Sequence, residues 1–129
     1  MRKLLAVIAG VVAGALVITG VEALGHQVYP PAVGIDMTNA DAARQALADA
    51  PAGALGVVLA AWALGALAAG WVVARLSHEW QMRLALVASA ILLAGAVTTL
   101  VMLPHPVWFM IAGPLIFFPM TALGARMGR

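Results

Sequence analysis

The chain has 129 residues, 64% of them hydrophobic and only 9% charged, with a formal net charge of +2 and a mean hydropathy of +1.04. Too few polar residues remain to cover a soluble globule of this size, so most of its surroundings must be lipid. Cysteine is absent, which excludes a disulfide framework, a thiolate metal centre and a cysteine nucleophile.

Hydrophobic runs of about 20 residues match the roughly 30 Å hydrocarbon core of a bilayer. Four are read here, over 4–25, 53–75, 83–103 and 107–125. The first follows Met1-Arg2-Lys3, a start like that of a secretory signal. The run is longer than a usual signal core and no clean Ala-x-Ala cleavage site follows it, so a retained helix is expected. Ala6, Gly10 and Gly14 recur every four residues along it, a pattern that lets another helix backbone approach closely. Towards its end Thr19, Glu22 and His26 fall on one helical face.

The connection over 26–52 opens with Tyr29-Pro30-Pro31, a stiff extended exit. Thr38 or Asn39 can cap a short, weakly amphipathic helix that carries Ala43, Ala46 and Leu47 on one side and ends before Pro51. Its expected role is to cover the mouth of the bundle, with partner binding as the alternative. The second span carries two adjoining small-residue stripes, Ala61, Gly65 and Ala69 beside Ala66, Gly70 and Ala74. This predicts a central helix. Gly10, Gly14, Gly65 and Gly70 serve either packing within one subunit or a face for homo-oligomerisation.

After a short turn at Ser77-His78-Glu79, read as solvated, the third span holds Thr98 and Thr99. The fourth begins after Pro104-His105-Pro106 and contains Pro114 and Pro119, where a kink or local unwinding is expected. Tyr29 and Trp108 would mark one membrane interface and Trp71 and Trp80 the other, with Trp62 deeper between helices. Leu24-Gly25-His26-Gln27-Val28-Tyr29 and Leu103-Pro104-His105-Pro106-Val107-Trp108 share Leu, His, Val and an aromatic in register, which raises the idea of a parallel repeat of helix pairs.

Arg2, Lys3, Arg75, Arg83, Arg126 and Arg129 all fall on one side of alternating spans and Arg44 alone on the other. By the positive-inside rule both termini and the 76–82 connection are cytoplasmic. The high pI therefore reflects topology and contacts to anionic lipid rather than nucleic acid.

Glu22 lies about one turn inside the boundary, where a carboxylate should face protein, water or a partner rather than lipid. Three readings compete for its surroundings. In the first, Glu22 accepts a hydrogen bond from His26, Thr98 or Thr99, and the cluster is structural. In the second, Glu22, His26 and His105 hold a divalent metal such as zinc, with a copper(I) variant drawing on Met102 and Met110. In the third, Glu22 titrates and His26 relays in a proton-linked or small-solute pathway, for which one subunit carries too few polar groups. No nucleophile–base–acid set, phosphate loop or nucleotide motif is present, so no catalytic residue is assigned and an enzyme is not expected.

Glu22-x-x-Gly25-His26-x-x-Tyr29-Pro30-Pro31, with Leu103-Pro104-His105-Pro106-x-Trp108, resembles small, uncharacterised bacterial four-helix integral membrane proteins. The resemblance implies a multi-pass protein of the bacterial inner membrane and carries over no ligand or reaction. The expectation is an all-α, four-transmembrane-helix bundle forming one domain over 1–129. Its function is expected to be non-enzymatic, through self-association or a membrane-protein partner, with the polar Glu/His cluster at its outer face.

Overall fold

In a hydrocarbon medium the backbone amides of an apolar run have no partner but their own helix. The structure, a computed structural model, describes residues 2–29, 38–39, 41–42, 45, 52–102 and 106–129. It resolves the four runs into α1 (Arg2–Val28), α2 (Ala52–Leu76), α3 (Gln81–Met102) and α4 (Val107–Gly128). Each is long and apolar enough to cross a membrane. Between α1 and α2, the backbone N–H groups of Asp41 and Ala42 donate to Asn39 Oδ1 at 3.0 and 3.2 Å, so Asn39 rather than Thr38 supplies the cap. Arg44, Ala43, Ala46, Leu47 and Pro51 lie outside the described residues.

The second helix is the hub, packed most extensively against α1 and α4, which do not touch each other among the described residues, while α3 meets all three others more lightly. The two small-residue stripes of α2 serve different neighbours. Along the first, α1 packs antiparallel: a Cβ placed on Gly14 would sit 2.9 Å from the Gly65 carbonyl oxygen, and one on Gly65 only 2.8 Å from that of Gly14. Gly10 faces the Ala69 carbonyl in the same way. Along the second stripe α4 runs parallel to α2. Gly70 abuts the backbone of Thr121 and Ala125, Gly124 that of Leu67, and Gly128 that of Trp71. These glycines are thus consumed inside one subunit, which answers the choice left open by their spacing in favour of internal packing.

The third helix closes the remaining side with a polar stitch. Thr121 Oγ1 of α4 donates to Ser89 Oγ of α3 at 2.9 Å, both residues being fully buried. Neither residue stood out in the sequence, because an isolated hydroxyl among alanines carries no periodic signal. Around the stitch, the core divides into an upper cluster with Trp62, Phe109 and Phe117 and a lower one with Val73, Ala85, Ala88 and Ala125.

Of the kink or local unwinding expected at Pro114 and Pro119, the unwinding is absent: α4 stays helical through both prolines. The carbonyls deprived of donors are those of Met110 and Leu115, on exposed residues away from the core. The repeat of helix pairs also fails: α2 meets α3, but its counterpart contact, α4 with α1, is missing among the described residues, and residues 103–105 of the second motif lie outside them. The α1–α2 interface is built on glycine and the α3–α4 interface on hydroxyls.

A methyl group at Gly14 or Gly65 would have to displace a facing backbone carbonyl, so Gly14→Ala and Gly65→Ala are expected to lower stability by about 1–3 kcal/mol. Nothing lies within 4 Å of a Cβ at Gly20, so Gly20→Ala should be neutral or raise stability by up to about 1 kcal/mol. Reversible unfolding in mixed micelles measures both; equal effects at Gly14 and Gly20 would contradict the packing described.

Candidate functional site

Glu22 sits on α1 six residues before its end, half-buried, with His26 one turn further on and exposed. The antiparallel register fixed by Gly14 and Gly65 brings this part of α1 beside the first half of α2, where Gly25 packs on Val57. Trp62 then lies within reach of Glu22. Its indole N–H donates to the Glu22 carboxyl group, and His26 adds an electrostatic contact along the same helix.

The indole cannot drift. Trp62 is 4% exposed, with Phe109 edge-on at 5.1 Å between ring centroids and Phe117 tilted at 5.7 Å. Gly113 makes room for it: a Cβ there would come within 3.1 Å of Trp62 Cε3 and closer still to its neighbouring ring carbon. Glu22 on α1 is therefore linked through one indole to the aromatic core shared with α4.

This geometry changes the expected set of partners. Thr98 Oγ1 donates to the Ala94 carbonyl at 2.8 Å and Thr99 Oγ1 to the Gly95 carbonyl at 3.2 Å, and both residues are exposed on α3. Their protons are spent on their own helix, so Trp62 takes the donor role that Thr98 or Thr99 was expected to fill. Thr19, on the same face of α1 as Glu22, is exposed. Sequence reasoning placed Trp62 between helices but missed its bond to Glu22; the signal was the pairing of the α1 and α2 glycine stripes, which sets the two residues at similar depth.

A metal site is not assembled by what the structure describes. Among the described residues, no three His, Cys, Asp or Glu side chains gather where they could share an ion. His105, the third expected ligand, lies outside those residues, and Met102 and Met110 are both exposed.

The opposite end of the bundle holds a second constellation of polar groups. Ser77, read as part of a solvated turn, is instead buried, and its hydroxyl donates to the Val73 carbonyl at 2.6 Å. Gln81 Nε2 donates to the carbonyls of Ala74 and Ser77 at 2.8 and 2.9 Å, closing the end of α2. Only His78 and Glu79 of that turn are exposed as expected. Trp80 has a φ of 57°, the sole positive value at a non-glycine among the described residues. Its ring carries Lys3 Nζ at 3.9 Å and the Arg83 guanidinium at 5.6 Å. Arg75 stands 5.8 Å from the Trp71 ring.

Trp62→Phe keeps most of the ring but removes the donor to Glu22, and is expected to cost about 1–2 kcal/mol. Glu22→Gln keeps an acceptor and should cost less. A double-mutant cycle with Glu22→Ala measures the coupling; a Trp62→Phe cost unchanged in the Glu22→Ala background would disprove the bond's contribution. No protein family, curated protein or solved structure matches the chain, which stands as a multi-pass all-α membrane protein with four apolar helices.

Proposed function

We propose that the protein is a non-enzymatic component of a bacterial inner membrane that acts by associating with a second copy of itself through α3. Its basic end, with both termini, faces the cytoplasm, and the Glu22–Trp62 end faces outward. The supporting observation is the small-residue surface that internal packing leaves over. Gly10, Gly14, Gly65 and Gly70 are consumed within the subunit, but Ala90, Ala94 and Thr98 are exposed at four-residue spacing, with Gly95 and Thr99 beside them. A Cβ at Gly95 would meet nothing within 4 Å.

Without a hydrophobic driving force in lipid, helices associate where small residues let backbones come close. The Thr98 and Thr99 hydroxyls already bond to their own helix, so this face can be covered without leaving a proton unpaired. Their oxygen lone pairs remain able to accept from a facing helix.

Ala94→Leu and Gly95→Leu are expected to weaken self-association by about tenfold or more, read by subunit counting through single-molecule photobleaching in dilute liposomes. Both positions are open in the subunit, so its unfolding stability should hold. A wild-type protein that stays monomeric at every lipid-to-protein ratio, or leucine variants that associate as before, would overturn this function. A proton-linked role, by contrast, requires Glu22-dependent flux in the same liposomes, absent in Glu22→Gln.

A further inference from the structure

At the basic end, the start of α1 and the turn after α2 border an open cavity of about 250 Å³ lined by Arg2, Lys3, Leu76, Ser77, His78 and Glu79. Its volume falls below the roughly 300–1,000 Å³ of pockets for drug-sized ligands, a size for a small polar group rather than a whole lipid. With His78 set aside, the two cations Arg2 and Lys3 outnumber the one carboxylate, Glu79, by a single charge. One monoanion neutralises that excess. A phosphodiester is such a monoanion, and Arg2 and Lys3 supply the donors that phosphate oxygens accept.

The walls indicate which phosphodiester. Leu76 lines the cavity and is 50% exposed, and Leu4 and Leu5, which follow Arg2 and Lys3 along α1, are 60% and 58% exposed, so apolar surface on which acyl chains can lie continues from it. Inorganic phosphate would leave that surface unused. Trp80, 58% exposed, stands at the same level, with Lys3 held over its ring. Tryptophan there occupies the headgroup zone of a bilayer. A left-handed backbone at a non-glycine residue is unfavourable and persists only where its surroundings hold it. At Trp80 those surroundings include Lys3 and Arg83 over its ring and the Leu84 N–H, which donates to its carbonyl at 2.9 Å. Glu79 repels a bare phosphate, yet it accepts hydrogen bonds from hydroxyl groups.

We propose that this cavity binds the headgroup of an anionic glycerophospholipid that carries hydroxyl groups, its phosphodiester on Arg2 and Lys3 and its hydroxyls on Glu79. The site differs from the diffuse attraction of a basic belt because only some of the cations at this end line it: Arg126 and Arg129 do not. It is independent of self-association through α3.

The experiment places the full chain in nanodiscs of phosphatidylcholine containing a minority of phosphatidylglycerol, and counts lipids retained by native mass spectrometry after release. Phosphatidylglycerol is expected to stay bound in preference to phosphatidylcholine. Arg2→Gln and Lys3→Gln should each weaken retention about fivefold, while Arg126→Gln and Arg129→Gln leave it unchanged. Glu79→Ala, at an exposed position where folding is not at stake, should abolish the preference for phosphatidylglycerol over phosphatidic acid, which lacks the headgroup hydroxyls, whereas Glu79→Gln, which keeps an acceptor, should only lessen it. Glycerol 3-phosphate and inorganic phosphate serve as soluble competitors. Displacement of the lipid by inorganic phosphate at equal concentration would assign the cavity to free phosphate, and equal losses in the Arg126 and Arg129 variants would reduce it to a basic belt; either result overturns the proposal.

Discussion

The bundle depends on one constraint, the approach of three helix backbones with no side chain between them. Gly14 and Gly65 bring α1 onto α2, and Gly70 and Gly124 bring α4 onto the other side of α2. In lipid, burying a leucine gains nothing over leaving it against an acyl chain, so close van der Waals contact supplies the association. The large apolar residues accordingly point outward: Leu16, Leu24, Val101 and Leu115 are all more than half exposed. The buried set is dominated by alanine and glycine, with Trp62, Phe109 and Phe117 gathered in the upper of the two core clusters.

Close packing also decides where polar groups can live. Ser89 and Thr121 pair across α3 and α4, Ser77 and Gln81 finish the end of α2, and Thr98 and Thr99 bond back to α3. Among the described residues, no buried side-chain nitrogen or oxygen lacks a partner. Glu22 follows the same rule through Trp62. The functional reading grows from the same distribution: what internal contacts leave uncommitted is a small-residue face on α3 and a charged cavity at the end opposite Glu22.

Much of the fold was legible in the sequence because lipid imposes a strong length and hydropathy signal. The four apolar runs, the central position of the helix with two stripes and the depth of Trp62 all followed from spacing. Pairings between side chains were less legible. The partner of Glu22 was sought among neighbours on its own helix and among threonines, since these have regular spacing, whereas the donor was an indole whose place is set by tertiary register. Ser77 was read as solvated because its neighbours His78 and Glu79 are polar, yet a hydroxyl at a helix end is readily drawn inward by the carbonyl one turn earlier. The small-residue stripes were ambiguous in principle: the same spacing serves a monomer or an oligomer, and only the facing backbone distinguishes them.

The parallel seating of α4 against α2 has a consequence for biogenesis. During synthesis α1 and α2 can pair as a hairpin as soon as both have entered the bilayer, covering Gly65 and Ala69. The neighbouring stripe of Ala66, Gly70 and Ala74 must then wait through the insertion of α3 before α4 arrives to cover it. A nascent intermediate with two or three helices inserted therefore presents an adhesive backbone groove to the membrane, open to any other helix with a small-residue face. Speed of insertion, or shielding by the insertion machinery, becomes part of what this sequence needs in order to reach its final packing.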